Sequence, residues 1–216
     1  MPMTNNDNFD STVTDEVLSE EEELNPFDIA DGVLYGVDEI AATGEIVVPD
    51  GVTVIGKSVF AGKSVRTVVL PKTVREIEDS AFAGSDLDKI VIPSSVQKLG
   101  KDVFELCANL EEVVFLGELQ TLPFGTFYGC SSLKNIELPQ NLTRIESNAF
   151  GGCDRFEEIE LPATVQFVGK DAFVGCVNLR TIHLNTAEIP KGFHKDWNVK
   201  QSLLWMRIRY DYTTKK

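Results

Sequence analysis

Four glutamates of this chain stand at positions from which carboxylate chemistry could be built: Glu112, Glu137, Glu158 and Glu160. Two carboxyl groups that flank a sugar bond can hydrolyse it, and several carboxylate oxygens together can hold a calcium ion. A glycosidase also needs an enclosing cleft, and the common calcium loops need an Asp-rich turn. The sequence shows neither feature. We therefore predict no catalytic residues, no cofactor and no metal site.

The cysteines are the second group with potential chemistry, and they recur at intervals of 23 residues: Cys107, Cys130, Cys153 and Cys176. Structural zinc sites use short Cys-x-x-Cys pairs that converge on one point. Residues at one phase of a stacked repeat are about 4.8 Å apart, within reach of a disulfide. Their side chains point the same way rather than toward each other, which disfavours the geometry of the bridge. The spacing predicts free, buried thiols. A Cys–His nucleophile with His183 or His194 would require a cysteine to leave this row.

The same interval governs the phenylalanines and indicates the fold. Six of them follow one another at 22, 22, 23, 23 and 23 residues: Phe60, Phe82, Phe104, Phe127, Phe150 and Phe173. Each unit opens with a short extended run, such as Val68-Val69-Leu70 or Ile136-Glu137-Leu138. A proline follows most of these runs and ends the strand, because it has no amide hydrogen for a ladder. A fixed period near 23 is typical of a solenoid, in which stacked coils bury columns of side chains.

The chain divides into four regions. Residues 1–26 are predicted to be an acidic, disordered tail, residues 27–45 an N-terminal cap, residues 46–189 a solenoid of about six repeats, and residues 190–216 a C-terminal cap. The alternating apolar residues of the last region are typical of a half-buried strand: Leu204, Met206, Ile208, Tyr210 and Tyr212. The coil at residues 113–135 departs from the pattern, with Leu116-Gly117 in place of the proline, and predicts a local bulge.

The net charge of −14 is unevenly distributed. Residues 1–56 contain fourteen Asp and Glu and no Lys or Arg, whereas residues 57–216 carry 20 side chains of each sign. Nucleic-acid affinity depends on clustered Lys and Arg, so we predict no nucleic-acid partner. No apolar run approaches the roughly 20 residues that span a bilayer, and the N-terminus lacks the pattern of a secretory signal. An intracellular protein and a processed one both remain open.

Alternate residues of each strand should form one exposed surface in two rows. The central row contains Val47, Val69, Val91, Val114, Glu137, Glu160 and His183, and its neighbour contains Glu45, Thr67, Lys89, Glu112, Asn135, Glu158 and Thr181. Exposed valines beside charged residues favour protein binding. The alternative is that β-branched residues suit strands and glutamates keep the surface soluble. The predicted protein-binding residues are Val69, Val91, Val114, Lys89, Glu112, Asn135, Glu137, Glu158, Glu160, Thr181 and His183.

The repeating unit L-x-x-I-x-L-P-x-x-L-x-x-I-x-x-x-A-F-x-x-C resembles the BspA-type leucine-rich repeat family. The resemblance covers about residues 45–190, and the segment GFHKDWN at residues 192–198 is similar to a common ending of the family. It implies a right-handed leucine-rich-repeat solenoid, an α/β-type repeat that is predominantly β, with short strands on the concave face and a cap at each end.

The resemblance also implies a binding role, since several members of the family are bacterial surface proteins that attach to host or matrix proteins. We expect a non-catalytic module for a protein ligand, present as a monomer or in weak self-association. The resemblance implies a cell-surface or secreted location, and the N-terminal sequence leaves the cytoplasm open. A self-assembling structural repeat and an intracellular scaffold are the alternatives, and a carbohydrate-active or carbohydrate-binding protein is the least favoured.

Overall fold

The computed structural model describes residues 25–39, 42–198 and 207–210. Every regular element within these residues is a β-strand, and they are, in chain order, β1 (Phe27–Ala30), β2 (Val33–Val37), β3 (Gly44–Val47), β4 (Val54–Ile55), β5 (Val65–Val69), β6 (Glu76–Ile77), β7 (Lys89–Ile92), β8 (Lys98–Leu99), β9 (Glu112–Phe115), β10 (Thr121–Leu122), β11 (Arg144–Ile145), β12 (Glu158–Leu161), β13 (Phe167–Val168), β14 (Thr181–Leu184) and β15 (Arg207–Tyr210). The predominantly β solenoid predicted from the period is confirmed, and turns rather than helices form its third side.

Two parallel ladders form the other two sides of each coil. The longer strands pair in the orders β3-β5-β7-β9 and β12-β14-β15. The two-residue strands form the short ladder, in the orders β4-β6-β8 and β10-β11-β13, and β2 pairs with β4 at its N-terminal end. At the N-terminal end, β1 pairs antiparallel with β2 across a tight turn at Asp31 and Gly32, both of which have positive φ. The hairpin therefore adds β1 as the outermost strand of the short ladder.

The third side is held by stacked phenylalanine rings. The six rings of the phenylalanine column are buried, with centroids 5.1–5.5 Å apart and planes within 17° of parallel from Phe60 to Phe173. Beside them, alternate backbone amides donate to the next coil, as Phe82 does to Val103 and Phe127 does to Ala149. Trp197 packs edge-on against Phe173 and ends the column.

The cysteine row lies next to the phenylalanine rings, and its four thiols are free and buried, as the spacing predicts. Each thiol donates to the carbonyl oxygen of a phenylalanine in the preceding coil, for example Cys107 to Phe82 at 3.0 Å and Cys130 to Phe104 at 3.1 Å. The row therefore satisfies carbonyl groups in the interior and forms no disulfide.

Both ladders are interrupted near the coil that departs from the repeat. On the short side, β8 does not pair with β10, and on the long side neither β9 nor β12 pairs with residues 135–138. The prediction of a strand at Ile136-Glu137-Leu138 is therefore wrong, although the Leu138 side chain is still buried in the core. Asn135 begins this segment, and asparagine is rare in strands. Ile136 is only half-buried, whereas its equivalents in the paired strands are buried.

Proline accounts for the break on the short side. At the position of Pro123, other coils donate an amide to the coil before, as Gly100 does to Ile77 and Glu146 does to Leu122. Pro123 has no amide hydrogen, so the equivalent bond to Leu99 cannot form. In the same coil Gly117 lies against the backbone of Ser94, where an added Cβ would approach Cα to 2.6 Å. In place of the predicted bulge, the structure shows an interruption of both ladders.

The C-terminal strand follows its predicted alternation in part. Ile208 packs against the core and Arg207 and Arg209 are exposed, but Tyr210 is 48% exposed rather than buried, because β15 is the last strand of its sheet. Leu204, Met206 and Tyr212 lie outside the described residues, as do residues 1–24 of the predicted acidic tail.

Candidate protein-binding face

The longer strands present one continuous surface, which we call the long-strand face. It comprises the outward side chains of β3, β5, β7, β9, residues 135–138, β12, β14 and β15. Inward residues of these strands, such as Ile46, Val68 and Ile90, are buried in the core. Because successive side chains of a strand take opposite sides, the residues between them must face outward. The pairing register then fixes which outward residues are neighbours.

The outer row of this face follows the order predicted from the sequence. Glu45 pairs with Thr67, Thr67 with Lys89 and Lys89 with Glu112. In the second half, Glu158 pairs with Thr181 and Thr181 with Arg207. Asn135 is exposed between these two groups but makes no ladder pair.

The first half of the central row is apolar. Val47, Val69 and Val91 are 60%, 44% and 45% exposed, and Val114 is half-buried. Leu116, two residues beyond Val114 on the same side of the chain, is 63% exposed. Sequence reasoning did not single out Leu116 as a binding residue. The signal was present, since this leucine occupies the place where the neighbouring coils have buried Pro71, Pro93 and Pro139.

The second half of the central row is charged. Glu137 and Glu160 are exposed, and Glu160 pairs in register with His183, which pairs with Arg209. The His183 imidazole lies 3.5 Å from the Glu158 carboxylate, and the Asn185 amide donates to Glu160 at 2.7 Å. These contacts hold side chains on a solvated sheet. They do not create the desolvated carboxyl group that an acid catalyst needs.

A groove borders the second half of the face and collects positive side chains. We call it the basic groove; its volume is about 430 Å³, and it is lined by Lys134, Asn135, Arg155, Glu157, Glu158, Arg180 and Thr181. Asn135, Glu158 and Thr181 are brought together here, as their common row predicts. The three cations were not predicted, although Lys134 and Arg180 occupy one phase of the repeat, immediately before the outer row.

Metal and membrane sites can be assessed for the described part of the chain. Residues 25–39, 42–198 and 207–210 contain no group of three or more His, Cys, Asp or Glu side chains placed to hold a metal ion. The same residues include no helix with the length and apolar composition needed to cross a membrane.

Comparison with known proteins gives a family match over most of the chain. A family model for the BspA type leucine rich repeat region matches six copies, over residues 39–154 and 120–201. No curated protein matches the chain.

Several solved structures share the fold. A leucine-rich repeat protein from Eubacterium ventriosum is 21% identical with a TM-score of 0.68, and the match covers 85% of this chain and 53% of that protein. One from Bacteroides ovatus is 25% identical with a TM-score of 0.57, covering 78% and 58%. One from T. pallidum is 31% identical with a TM-score of 0.53, covering 55% and 58%. The chain therefore spans little more than half the length of each of these proteins.

Proposed function

Because the chain belongs to the BspA-type leucine-rich repeat family, we propose that it is a non-catalytic binding module whose long-strand face holds a protein ligand. Repeat proteins of this architecture commonly bind through the extended surface that stacked units create. The proposed contact residues are those predicted from the sequence, extended by Leu116.

The observation that carries this proposal is the exposed apolar row. Val47, Val69, Val91 and Leu116 leave apolar surface in water on a single face of the sheet. Full burial of such a side chain is worth roughly 1.5–3 kcal/mol, so half-exposed valines would add on the order of 1 kcal/mol each when a ligand covers them. A ligand gains this energy only if it presents an apolar strip to the row.

The charges of the face indicate the chemistry of the ligand. Glu112, Glu137 and Glu160 are exposed along and beyond the apolar row. Complementary charges select a partner and speed its encounter more than they add affinity. We therefore infer a protein ligand with an apolar segment flanked by Lys or Arg. A bacterial surface role, with a host or matrix protein as ligand, accords with the family, and an intracellular scaffold is the other arrangement.

The test is affinity capture with the intact chain and with Val69→Thr/Val91→Thr, from matrix-protein extracts and from extracts of the same cells. Threonine keeps the β-branched shape that suits a strand and removes the apolar surface. We expect the intact chain to capture a specific protein and the variant to lose it. Capture from the matrix extract supports an adhesin-like role, whereas capture from the cell extract supports a scaffold.

A matched control carries the same change outside the face. Val177 and Ile189 are 53% and 36% exposed and belong to no strand of the ladder. Val177→Thr/Ile189→Thr should keep the partner, and both variants should unfold at the temperature of the intact chain. Equal capture by the intact chain and Val69→Thr/Val91→Thr would sink the proposal.

A further inference from the structure

The basic groove contains positive side chains that the fold itself does not neutralise. Arg155 and Arg180 are exposed, and neither forms an ion pair with another described residue. Lys134 lies 3.1 Å from Glu111, at the edge of the groove. Arg207 is exposed on the neighbouring strand, where its amide donates to the Arg180 carbonyl at 2.7 Å. An anionic segment of protein would find two unpaired guanidinium groups here.

The opposite end of the chain supplies such a segment. Residues 1–24 contain eight Asp and Glu and no Lys or Arg, and four of these carboxylates are consecutive, at Glu20–Glu23. Carboxylates bind guanidinium groups through paired hydrogen bonds, so adjacent glutamates suit adjacent arginines. The two ends of one chain are therefore complementary in charge.

Distance decides whether this pairing can occur within one molecule. The Asp38 amide donates to the Pro26 carbonyl at 2.8 Å, so residue 25 emerges at the coil of β2. Lys134 lies in the coil of β11. Between the coil of β2 and that coil lie the coils of β4, β6, β8 and β10. Adjacent coils are 5.1–5.5 Å apart at the stacked rings. The axial separation is therefore about 25 Å, given a ladder spacing of about 4.8 Å or more.

The chain between the acidic run and the fold is too short for that distance. Even fully extended, a chain spans at most about 3.6 Å per residue, so Glu20 reaches about 18 Å from Asn25. β1 lies one ladder spacing outside β2, and Arg155 and Arg180 lie one and two coils beyond Lys134, so these two guanidinium groups are about 34 and 38 Å from residue 25 along the axis. Even with the lengths of both side chains added, Glu20–Glu23 cannot reach them within their own molecule. The groove of a second molecule is under no such limit of distance.

We propose that the basic groove binds the acidic run Glu20–Glu23 of a second copy of this chain, so that copies associate head to tail. The contact joins two different surfaces, and each molecule carries both, so association continues from copy to copy. Glu157 and Glu158 also line the groove and oppose the incoming carboxylates, but its three cations outnumber these two carboxylates by one. The groove shares Asn135, Glu158 and Thr181 with the long-strand face, whereas the apolar row of Val69 and Val91 lies outside it.

Sedimentation velocity of the whole chain tests the proposal. At an ionic strength of about 0.01 M the screening length is about 30 Å, and at about 1 M it is about 3 Å. We expect the mean sedimentation coefficient to rise with protein concentration at low salt and to stay at the monomer value at high salt. Arg155→Gln/Arg180→Gln should raise the dissociation constant by about tenfold or more. The control Lys72→Gln/Lys191→Gln removes the same charge outside the groove and should associate as the intact chain does.

Mixing variants tests the pairing of the two surfaces directly. A chain with Glu20, Glu21, Glu22 and Glu23 each changed to Gln keeps its groove, and Arg155→Gln/Arg180→Gln keeps its acidic run. At a concentration at which the intact chain associates, each should be largely monomeric alone, whereas the mixture should form 1:1 dimers and nothing larger. The proposal is overturned if the intact chain stays monomeric at low salt, if either variant associates as tightly as the intact chain, or if the mixture forms no dimers.

Discussion

At the scale of single residues, the cysteine row shows how the interior of the coil satisfies its polar groups. Burial raises the pKa of the Cys107 thiol to about 11 from its usual 9.0, chiefly because the thiolate would be desolvated. The pKa values of Cys130 and Cys153 are raised well above the usual value for the same reason. Each thiol therefore stays protonated and donates its hydrogen to a phenylalanine carbonyl.

This shift predicts a loss of stability at alkaline pH. The folded state holds the Cys107 proton up to about pH 11, whereas an unfolded thiol releases it near 9.0. Between these values the unfolded state binds fewer protons, so a rising pH favours unfolding. We expect the free energy of unfolding to lose up to about 3 kcal/mol from this thiol between pH 9 and 11 and nothing below pH 8.

Cys107→Ser isolates the contribution of this one thiol. Serine is compatible with the row, because Ser85 occupies the equivalent place one coil earlier and is 2% exposed. Urea unfolding of both chains at pH 8, 9, 10 and 11 gives the comparison. The intact chain should lose stability relative to the variant as the pH rises through this range. A difference that is independent of pH would contradict the assignment.

At the scale of the element, Pro123 separates two parts of the short ladder. Amides on either side of it are bonded to the preceding coil: those of Gln97 and Lys98 donate to Arg75, and those of Thr143 and Arg144 donate to Gln120. The amides of Gln120 and Thr121 have no such backbone acceptor in the described coils. The short ladder therefore lacks backbone bonds at Gln120 and Thr121 as well as at Pro123.

Amide hydrogen exchange should reveal this gap. We expect the amides of Gln120 and Thr121 to exchange faster than those of Gln97 and Thr143, because exchange rates report how easily a hydrogen bond opens. Pro123→Glu introduces an amide at a position where Glu146 donates one, and it should slow exchange at Gln120 and Thr121. If the amides of Gln120 and Gln97 exchange at the same rate in the intact chain, the short ladder is continuous and the assignment is wrong.

The sequence was sufficient for the regular coils and for the register of their outward residues. A period that preserves residue type fixes which side chains stack, so the rows from Glu45 to Glu112 and from Glu158 to Thr181 followed directly. Leu116 and the basic groove could not be found in this way. Exposure of Leu116 depends on the loss of one proline from a turn, and the groove depends on how rows at two different phases converge.

Residues 135–138 show a second limit of the repeat pattern. Their alternation of polar and apolar residues matches the paired strands, which is why Ile136-Glu137-Leu138 was predicted to be a strand. Pairing also requires both neighbouring coils at the right distance, and that depends on the whole of the preceding coil. A one-dimensional pattern contains no information on that distance.

At the scale of the whole molecule, the two ladders are interrupted at neighbouring interfaces: the short ladder stops between β8 and β10, and the long ladder stops after β9 and begins again at β12. We call the strands from β1 to β9 the first block and those from β10 to β15 the second block. The turn side continues through the junction, since Phe104 donates its amide to Thr126, Phe127 donates to Ala149 and the rings remain stacked. Repeat proteins are stabilised by each unit and by its contacts with adjacent units. Loss of ladder bonds at these interfaces weakens the coupling between the blocks.

This weak coupling predicts that damage to one block stays there. Phe150→Ala removes a fully buried ring from the second block and should cost about 3–5 kcal/mol. As urea is added to Phe150→Ala, amides of β11 and β13 should lose protection from exchange at a lower urea concentration than those of β4 and β6. The urea midpoint for loss of protection at β4 and β6 should match that of the intact chain. Phe82→Ala makes the same change in the first block and should reverse the order. If all four strands lose protection at one midpoint in both variants, the solenoid unfolds as a single unit and the interrupted ladders do not limit its cooperativity.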